Sequence, residues 1–279
     1  MKGDLHLHTV FSDGSLTPEQ LIDRASARKI NVIAVTDHDS TGGLTRALEY
    51  AVSKEITVVP GIEFSTRKRE REIHLLGYFI EPDNKKLQRE TEFILKSRRE
   101  RAQKMVDLLQ QRGLDLSFFE VKELAGKNGF IGRPHIARLM VQKGYISSME
   151  EAFSDSFIGR GGQAYVERYR VPLSKAVTLI KQAGGFAAVA HPGSMEKGSA
   201  LSFQEIKELK KQGVTGLEVF HSQHGDRDTK LYREIAARLD LIVTGGSDFH
   251  GNCCFGLEIG IPGLDGKELE KFLAHGRFF

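Results

Sequence analysis

Asp4-Leu5-His6-Leu7-His8-Thr9-Val10-Phe11-Ser12-Asp13-Gly14 stands almost at the start of the chain, and its alternation decides how the remainder is read. In an extended segment successive side chains face opposite sides, so His6 and His8 project one way and Leu5 and Leu7 the other. An apolar strand that carries two imidazoles to its end has the form of a metal-ligand donor. The form recurs along the chain. Asp37-His38 closes the run from Asn31 to Thr36, Glu63 follows Thr57 to Ile62, and His191 follows Phe186 to Ala190. Asp248-Phe249-His250 follows the run from Leu241 to Gly245 and repeats the spacing of His6 and His8. A lone histidine among apolar neighbours, such as His74 in Ile73-His74-Leu75-Leu76, is more often a core residue than a ligand. The combination argues the other way, because imidazoles and carboxylates arrive together at strand ends. That mixture suits Zn, Mn or Fe, and two cysteines offer no thiolate site.

Valine- and isoleucine-rich runs alternate with helical patterns, the sign of βαβ units. Strands are expected near residues 3–8, 31–36, 57–62, 73–80, 186–190, 215–221 and 241–245. The first helix is signalled by Thr17 as cap, Pro18 at the first helical position and Gln20 closing a capping box. In a barrel of parallel strands the carboxyl ends share one rim, so ligands distant in sequence meet at one place.

Residues 93–168 break this rhythm. Ala102, Met105, Val106 and Leu109 follow helical spacing, Ser117 with Glu120 and Ser148 with Glu151 form capping boxes, and Pro134 starts a helix. The expected organisation is a barrel over 1–92 and 169–279 with a helical insertion, a substrate cap, over 93–168. Gly132-Arg133-Pro134-His135 and Gly159-Arg160-Gly161-Gly162 each offer a guanidinium, the first at a helix start, where phosphate is readily held. The competing reading makes them a helix start and a surface turn. The charged runs Arg67–Arg71 and Lys96–Lys104 read as solvated faces, and His275 as a surface residue.

Among 279 residues, 40 are basic and 37 acidic, a net charge of +3 too balanced for a nucleic-acid coat. No apolar run reaches membrane-spanning length and no leader follows Met1, so a cytoplasmic location is expected. Adjacent Cys253 and Cys254 give no disulfide framework. Neither a G-x-x-x-x-G-K-[ST] loop nor a G-x-S-x-G elbow occurs, which speaks against an NTPase and a serine hydrolase.

Taken in order, Asp4 to Thr9, Ser12-Asp13-Gly14, Thr36-Asp37-His38-Asp39, Gly61-Ile62-Glu63, His74 to Tyr78, Ala190-His191-Pro192 and Gly246 to Gly251 resemble the PHP superfamily. These are phosphoesterases named for polymerase-associated domains and histidinol phosphatase. The resemblance spans essentially the whole chain. The insertion with Gly-Arg-Pro-His is similar to the branch of nucleoside 3',5'-bisphosphate phosphatases and a related 5'-to-3' exoribonuclease. It implies an α/β fold, a distorted (β/α)7 TIM-like barrel with the helical insertion, and two or three divalent metal ions. Carried over by motif, His6, His8, Glu63 and Asp248 hold the first ion, Asp13, His38 and His250 the second, and Glu63, His74 and His191 the third. Asp13 stands where relatives often have His, and an anionic ligand favours a harder ion, so Mn is expected first, with Fe or Zn as alternatives. Asp37 is expected to orient a ligand imidazole.

The implied mechanism is in-line attack by a metal-activated hydroxide. Arg133, His135 and Arg160 are the substrate-binding candidates. His224, in preference to His221, is the candidate acid for the leaving alcohol. The expected partner is a small phosphorylated nucleotide, the alternative a short 5'-phosphorylated RNA end; neither a membrane nor an obligate protein partner is expected. A metal-dependent amidohydrolase or deaminase also begins with H-x-H, but Thr36-Asp37-His38-Asp39 and the final Asp-x-His speak against it.

Overall fold

The computed structural model describes residues 1–68, 71–126, 130–193, 200–251 and 256–276, so Cys253 and Cys254 lie outside the described residues. Two compact units divide the chain, one of Met1–Arg89 with Val171–Phe279, the other of Glu90–Arg170. Nine strands are described: β1 Lys2–Leu7, β2 Val32–Val35, β3 Thr57–Lys68, β4 Arg71–Tyr78, β5 Val171–Pro172, β6 Phe186–Val189, β7 Gly216–His221, β8 Ile242–Gly246 and β9 Leu264–Asp265. The described helices are α1 Pro18–Ala27, α2 Leu44–Ala51, α3 Lys85–Gln110, α4 Phe118–Ala125, α5 Arg133–Gln142, α6 Met149–Ala152, α7 Leu173–Gln182, α8 Phe203–Lys211, α9 Asp226–Arg238 and α10 Gly266–His275. No described helix is long and apolar enough to cross a membrane.

In the first unit the strands form a nearly closed barrel in the order β8-β7-β6-β4-β3-β2-β1-β9, with β5 beside β3. Every residue of β2 and of β6 is buried, as expected for strands covered on both faces. Alternate positions such as Val32 and Ala34, Leu76 and Tyr78, and Phe186 and Ala188 join one core, which Leu269 and Phe272 of α10 complete. The Tyr78 hydroxyl, buried there, donates to the Leu5 carbonyl at 3.0 Å. The first helix begins as its sequence predicts, with Thr17 and Gln20 bonded reciprocally across the cap.

One expectation needs correcting. The parallel pattern holds for β1-β2-β3 and for β6-β7-β8, but β4 runs antiparallel to both β3 and β6. The strand expected to stop at Ile62 continues to Lys68, which pairs with Arg71 of β4. Only two residues separate the two strands, and a parallel pair needs a crossover of a dozen or more residues. Glu63 and His74 therefore lie inside a hairpin, opposite Leu76 and Ser65 respectively, instead of at strand ends.

Beyond β8, closure depends on side chains as much as on a ladder. His8 N–H donates to the Phe249 carbonyl at 3.1 Å and Asp248 N–H to the His6 carbonyl at 3.0 Å. The buried Asp4 carboxylate accepts from Ser247 N–H at 3.0 Å, Ser247 Oγ at 2.6 Å and Gly260 N–H at 2.7 Å. Gly246 allows the approach, since a Cβ there would lie 2.4 Å from the His6 nitrogen and 2.8 Å from Asp4 Oδ1. Gly246→Ala is expected to cost about 1–3 kcal/mol by overpacking at backbone that cannot yield. Urea unfolding would measure it, and an unchanged midpoint would show that the two strands can separate freely.

The second unit has its own core. Ala102, Met105, Val106 and Leu109 of α3 pack with Val121, Ile136, Met140 and Ile158. Ser117 and Glu120 cap α4 as expected. Ser148 is the cap position of α6, but Glu151 accepts from the Ser147 backbone and hydroxyl, each at 2.9 Å. The Lys96–Lys104 run is not wholly a solvated face, because Arg98 is buried with its guanidinium 4.5 Å from the Phe130 ring centre.

Candidate metal centre

Donor atoms from six strands and the loops after them meet in the first unit. His6 Nε2 lies 3.3 Å from both Glu63 Oε2 and Asp248 Oδ1, and His8 Nε2 lies 3.3 and 3.1 Å from the same two oxygens. A second group forms around Asp13, whose Oδ1 is 3.3 Å from His250 Nε2 and whose Oδ2 is 3.8 Å from His38 Nε2. Glu63 Oε1 is 2.9 Å from His74 Nδ1 and 3.0 Å from His191 Nε2. Glu63 thus divides its oxygens: Oε2 toward His6, His8 and His38, Oε1 toward His74 and His191.

Hydrogen-bond partners assign the ring protons. His6 Nδ1 donates to Glu218 Oε1 at 2.9 Å, so its Nε2 is the nitrogen left for a cation. His250 Nδ1 donates to the Asp248 carbonyl at 2.8 Å, which leaves its Nε2 facing Asp13. Imidazole nitrogens thus point at carboxylate oxygens. Indeed His6 Nε2, His8 Nε2, His38 Nδ1 and Asp248 Oδ1 are buried with no hydrogen-bond partner among the described residues. Such atoms are tolerated only where a cation lies among them. Neighbouring donors around a cation with bonds of about 2.1 Å stand about 3.0–3.4 Å apart, which matches the first group. The residues therefore fit divalent ions held by nitrogen and oxygen.

Electrostatics report the same demand for positive charge. Burial pulls the His8 imidazole down, yet the Asp248 and Glu63 carboxylates outweigh it and hold the ring at about 10. Burial likewise opposes charge on His74, which Glu63 and Glu72 raise to about 9. His6 is raised well above its ordinary value by Glu218, Asp248 and Glu63 against the same burial. Conversely Glu63, Asp13 and Asp248 stay well below the usual carboxylate range despite burial, because imidazoles surround them.

Supporting contacts hold the donors. Asp37, expected to orient a ligand imidazole, accepts from Thr9 N–H at 2.7 Å and from the hydroxyls of Thr9 and Ser12, each at 2.6 Å. Ser12 connects it to an imidazole, its Oγ being 3.4 Å from His8 Nδ1. Gln223 N–H donates to His221 Nδ1, so the His221 proton sits on Nε2, 3.4 Å from Asp248 Oδ2. Asp39, His191 and Asp248 adopt positive φ angles of 51°, 26° and 56°, backbone that non-glycine residues enter at a cost. Glu218, which sequence reading passed over as a carboxylate within an apolar strand, is the buried partner of both His6 and His191. Its signal was available: a charge among Gly216, Leu217, Val219 and Phe220 needs a partner when buried.

The remaining candidates divide between the two units. Arg133, His135 and Arg160 belong to the second unit. Arg133 starts α5, donates to the Ile158 carbonyl at 3.2 Å and lies over Phe153 and Tyr165. His135 Nδ1 accepts from Gly132 N–H at 3.1 Å and so caps its own helix, while Arg160 is exposed. His224 uses both ring nitrogens on backbone: Nδ1–H donates to the Val219 carbonyl at 2.9 Å, and Nε2 accepts from Gly193 N–H at 3.1 Å. A proton-donor role for it requires giving up the Gly193 bond.

The PHP domain pattern matches residues 4–186. The chain belongs to the PHP family. Its similarity to a 3',5'-nucleoside bisphosphate phosphatase of Chromobacterium violaceum is 34% identity over 92% of this chain and 90% of that protein. A phosphoribosyl 1,2-cyclic phosphate 1,2-diphosphodiesterase of Eggerthella lenta is 32% identical over 89% and 94%. A 5'-3' exoribonuclease of Haemophilus influenzae is 32% identical over 90% and 91%. A solved structure from Bifidobacterium adolescentis, proposed to be a metal-dependent phosphoesterase, superposes with a TM-score of 0.87 at 29% identity, covering 98% of this chain and 96% of that one. With the PHP fold and a multi-ligand centre of this kind, the chain is a metal-dependent phosphoesterase.

Proposed function

We propose that this PHP enzyme hydrolyses a phosphomonoester of a small nucleotide, with a nucleoside 3',5'-bisphosphate as substrate and two or three divalent ions, Mn²⁺ first, as cofactor. The reading places it in the cytoplasm. Its carrying observation is the divided carboxylate of Glu63, with Oε2 and Oε1 turned to separate sets of imidazoles at 2.9–3.3 Å. Bound ions supply Lewis acidity that lowers the pKa of a water and neutralises charge on phosphoryl oxygens. The protein's part is pre-organisation. Hydrogen bonds donated to Glu218 and the Asp248 carbonyl, and one donated by Gln223 N–H, fix which ring nitrogens of His6, His250 and His221 face the centre, so little rearrangement is needed when charge develops.

Arg133 is assigned to the phosphate that does not react, with His135 of the same motif and Arg160 of the separate glycine-rich motif as further substrate-binding candidates. A guanidinium suits that task because its forked donors match phosphate oxygens. Support for the bisphosphate comes from the Chromobacterium violaceum relative. Arg133→Ala is expected to raise KM for the bisphosphate by about 10–100-fold, the loss of one charged hydrogen-bond pair, with a smaller effect on a monophosphate. Equal effects on both substrates would remove Arg133 from recognition of the second phosphate.

His224 remains the proposed acid for the leaving alcohol, on the condition that Nε2 exchanges Gly193 for a proton. His224→Asn should then slow hydrolysis of an alkyl phosphate by about 10²-fold while sparing p-nitrophenyl phosphate, whose leaving group needs no proton. Matching losses on the two would make it a positioning residue.

The exoribonuclease reading is second. Phe93 and Phe119 of the second unit are 51% and 66% exposed, and such rings can stack bases. Other aromatics of that unit are less suited: Phe130 is buried and Phe157 packs on its core. The deciding assay follows phosphate and nucleoside release from adenosine 3',5'-bisphosphate beside a 5'-phosphorylated short RNA and a ribose 1,2-cyclic phosphate, with Mn²⁺-reconstituted protein. Turnover of the bisphosphate alone supports the proposal. Processing of RNA as well makes the enzyme an RNA-end nuclease, and turnover of the cyclic ester alone makes it a phosphodiesterase.

A further inference from the structure

Glu218 is a fully buried carboxylate in the apolar strand Gly216-Leu217-Glu218-Val219-Phe220. A buried charge is tolerated only where its oxygens are engaged. Both are: Oε1 accepts from His6 Nδ1–H at 2.9 Å, and Oε2 accepts from the backbone N–H of His191 at 2.6 Å. The register of β7 against β8 shifts between Glu218 and Phe220, a local irregularity of the kind that re-aims side chains next to active sites.

The two groups it holds serve different parts of the centre. His6 turns Nε2 toward Glu63 Oε2 and Asp248 Oδ1, whereas His191 turns Nε2 toward Glu63 Oε1 at 3.0 Å. His191 also has a φ of 26°, so its backbone is held in a conformation that other residues avoid. Its N–H donates the short bond to Glu218 Oε2. From this geometry we infer that Glu218 is a positioning residue shared by two ligand sets: it fixes the ring tautomer of His6 and the backbone of His191, so that metal loading at both depends on one carboxylate. The inference rests on the metal-centre reading given above.

A charge that merely fills the core would not care which atoms are oxygen. Positioning does. In Glu218→Gln, an amide oxygen that serves the His191 N–H leaves the NH₂ facing His6 Nδ1. That nitrogen must then accept, and the ring proton moves to Nε2, where the ligand lone pair was. Turned the other way, the NH₂ meets the His191 N–H, donor against donor. Either orientation removes one ligand while shape is nearly unchanged.

The test is Mn²⁺ titration of metal-stripped wild-type protein, Glu218→Gln and Glu218→Asp, by calorimetry with bound metal counted by mass spectrometry. The Asp variant keeps the charge but is one methylene too short to serve both partners. The expected result is at least one ion bound about 10–100-fold more weakly in each variant, with a wild-type circular dichroism spectrum. The ion held by Asp13, His38 and His250 should be retained. Wild-type affinity and stoichiometry in both variants would overturn the inference, and if the Gln variant does not fold, the Asp variant decides alone. Wild-type protein that binds no divalent ion would instead overturn the metal-centre reading and this inference with it.

Discussion

Glu63→Ala is expected to lose bound metal and phosphoesterase activity together, with activity down by about three orders of magnitude or more. The reason is geometric, because one carboxylate faces His6, His8 and His38 through one oxygen and His74 and His191 through the other. Removing it takes a ligand from both sets. Metal-assisted stabilisation of several kcal/mol is then lost, and each 1.4 kcal/mol is about tenfold in rate. Glu63→Gln keeps the shape and separates the charge from the packing. Metal analysis beside steady-state kinetics checks the expectation. Full activity in the Ala variant would sink the shared-ligand arrangement, and activity loss at full metal content would show that Glu63 acts on substrate instead.

The second large effect concerns pH and the metal-stripped protein. His8 and His74, at about 10 and 9, and His6, raised well above its ordinary value, bind protons more tightly in the folded chain than in the unfolded one. Their contribution to stability is therefore full below about pH 6.5 and fades as pH rises through 9 to 10. The carboxylates Glu63, Asp13 and Asp248 are shifted the opposite way, so their contribution is present above about pH 4 and is lost in acid. In a chelator, the melting temperature is expected to peak near pH 5–6 and to fall by about 5 °C or more by pH 9.5. With Mn²⁺ in excess the trend over pH 6–9 reverses, because metal binding displaces those protons and strengthens as they become scarce. Scanning fluorimetry with chelator and with Mn²⁺ across this range is the measurement. A flat profile for the stripped protein would mean that the imidazoles are not held charged by their carboxylates.

Read alone, the sequence determined what depends on local rules. Period-two alternation around His6 and His8, the Val- and Ile-rich runs and the cap pairs Thr17–Gln20 and Ser117–Glu120 are properties of a few consecutive residues, and they place the first strand and these helix starts correctly. Chemistry of the donor types then pointed to divalent ions before any geometry was available. Tertiary structure decided the rest. The reversal of β4 follows from the missing crossover, yet it shows only once Glu63 and His74 are set across one hairpin. Asp4 ties the first strand to Ser247 and Gly260, and Glu218 bonds His6 from 212 residues away, because barrel closure brings them together. His224 was read by its chemistry, but its hydrogen bonds to Gly193 and Val219 set its protonation. Ligand identity is a local property of side chains; which nitrogen carries the proton, and which carboxylate holds it there, depends on neighbours supplied by distant strands.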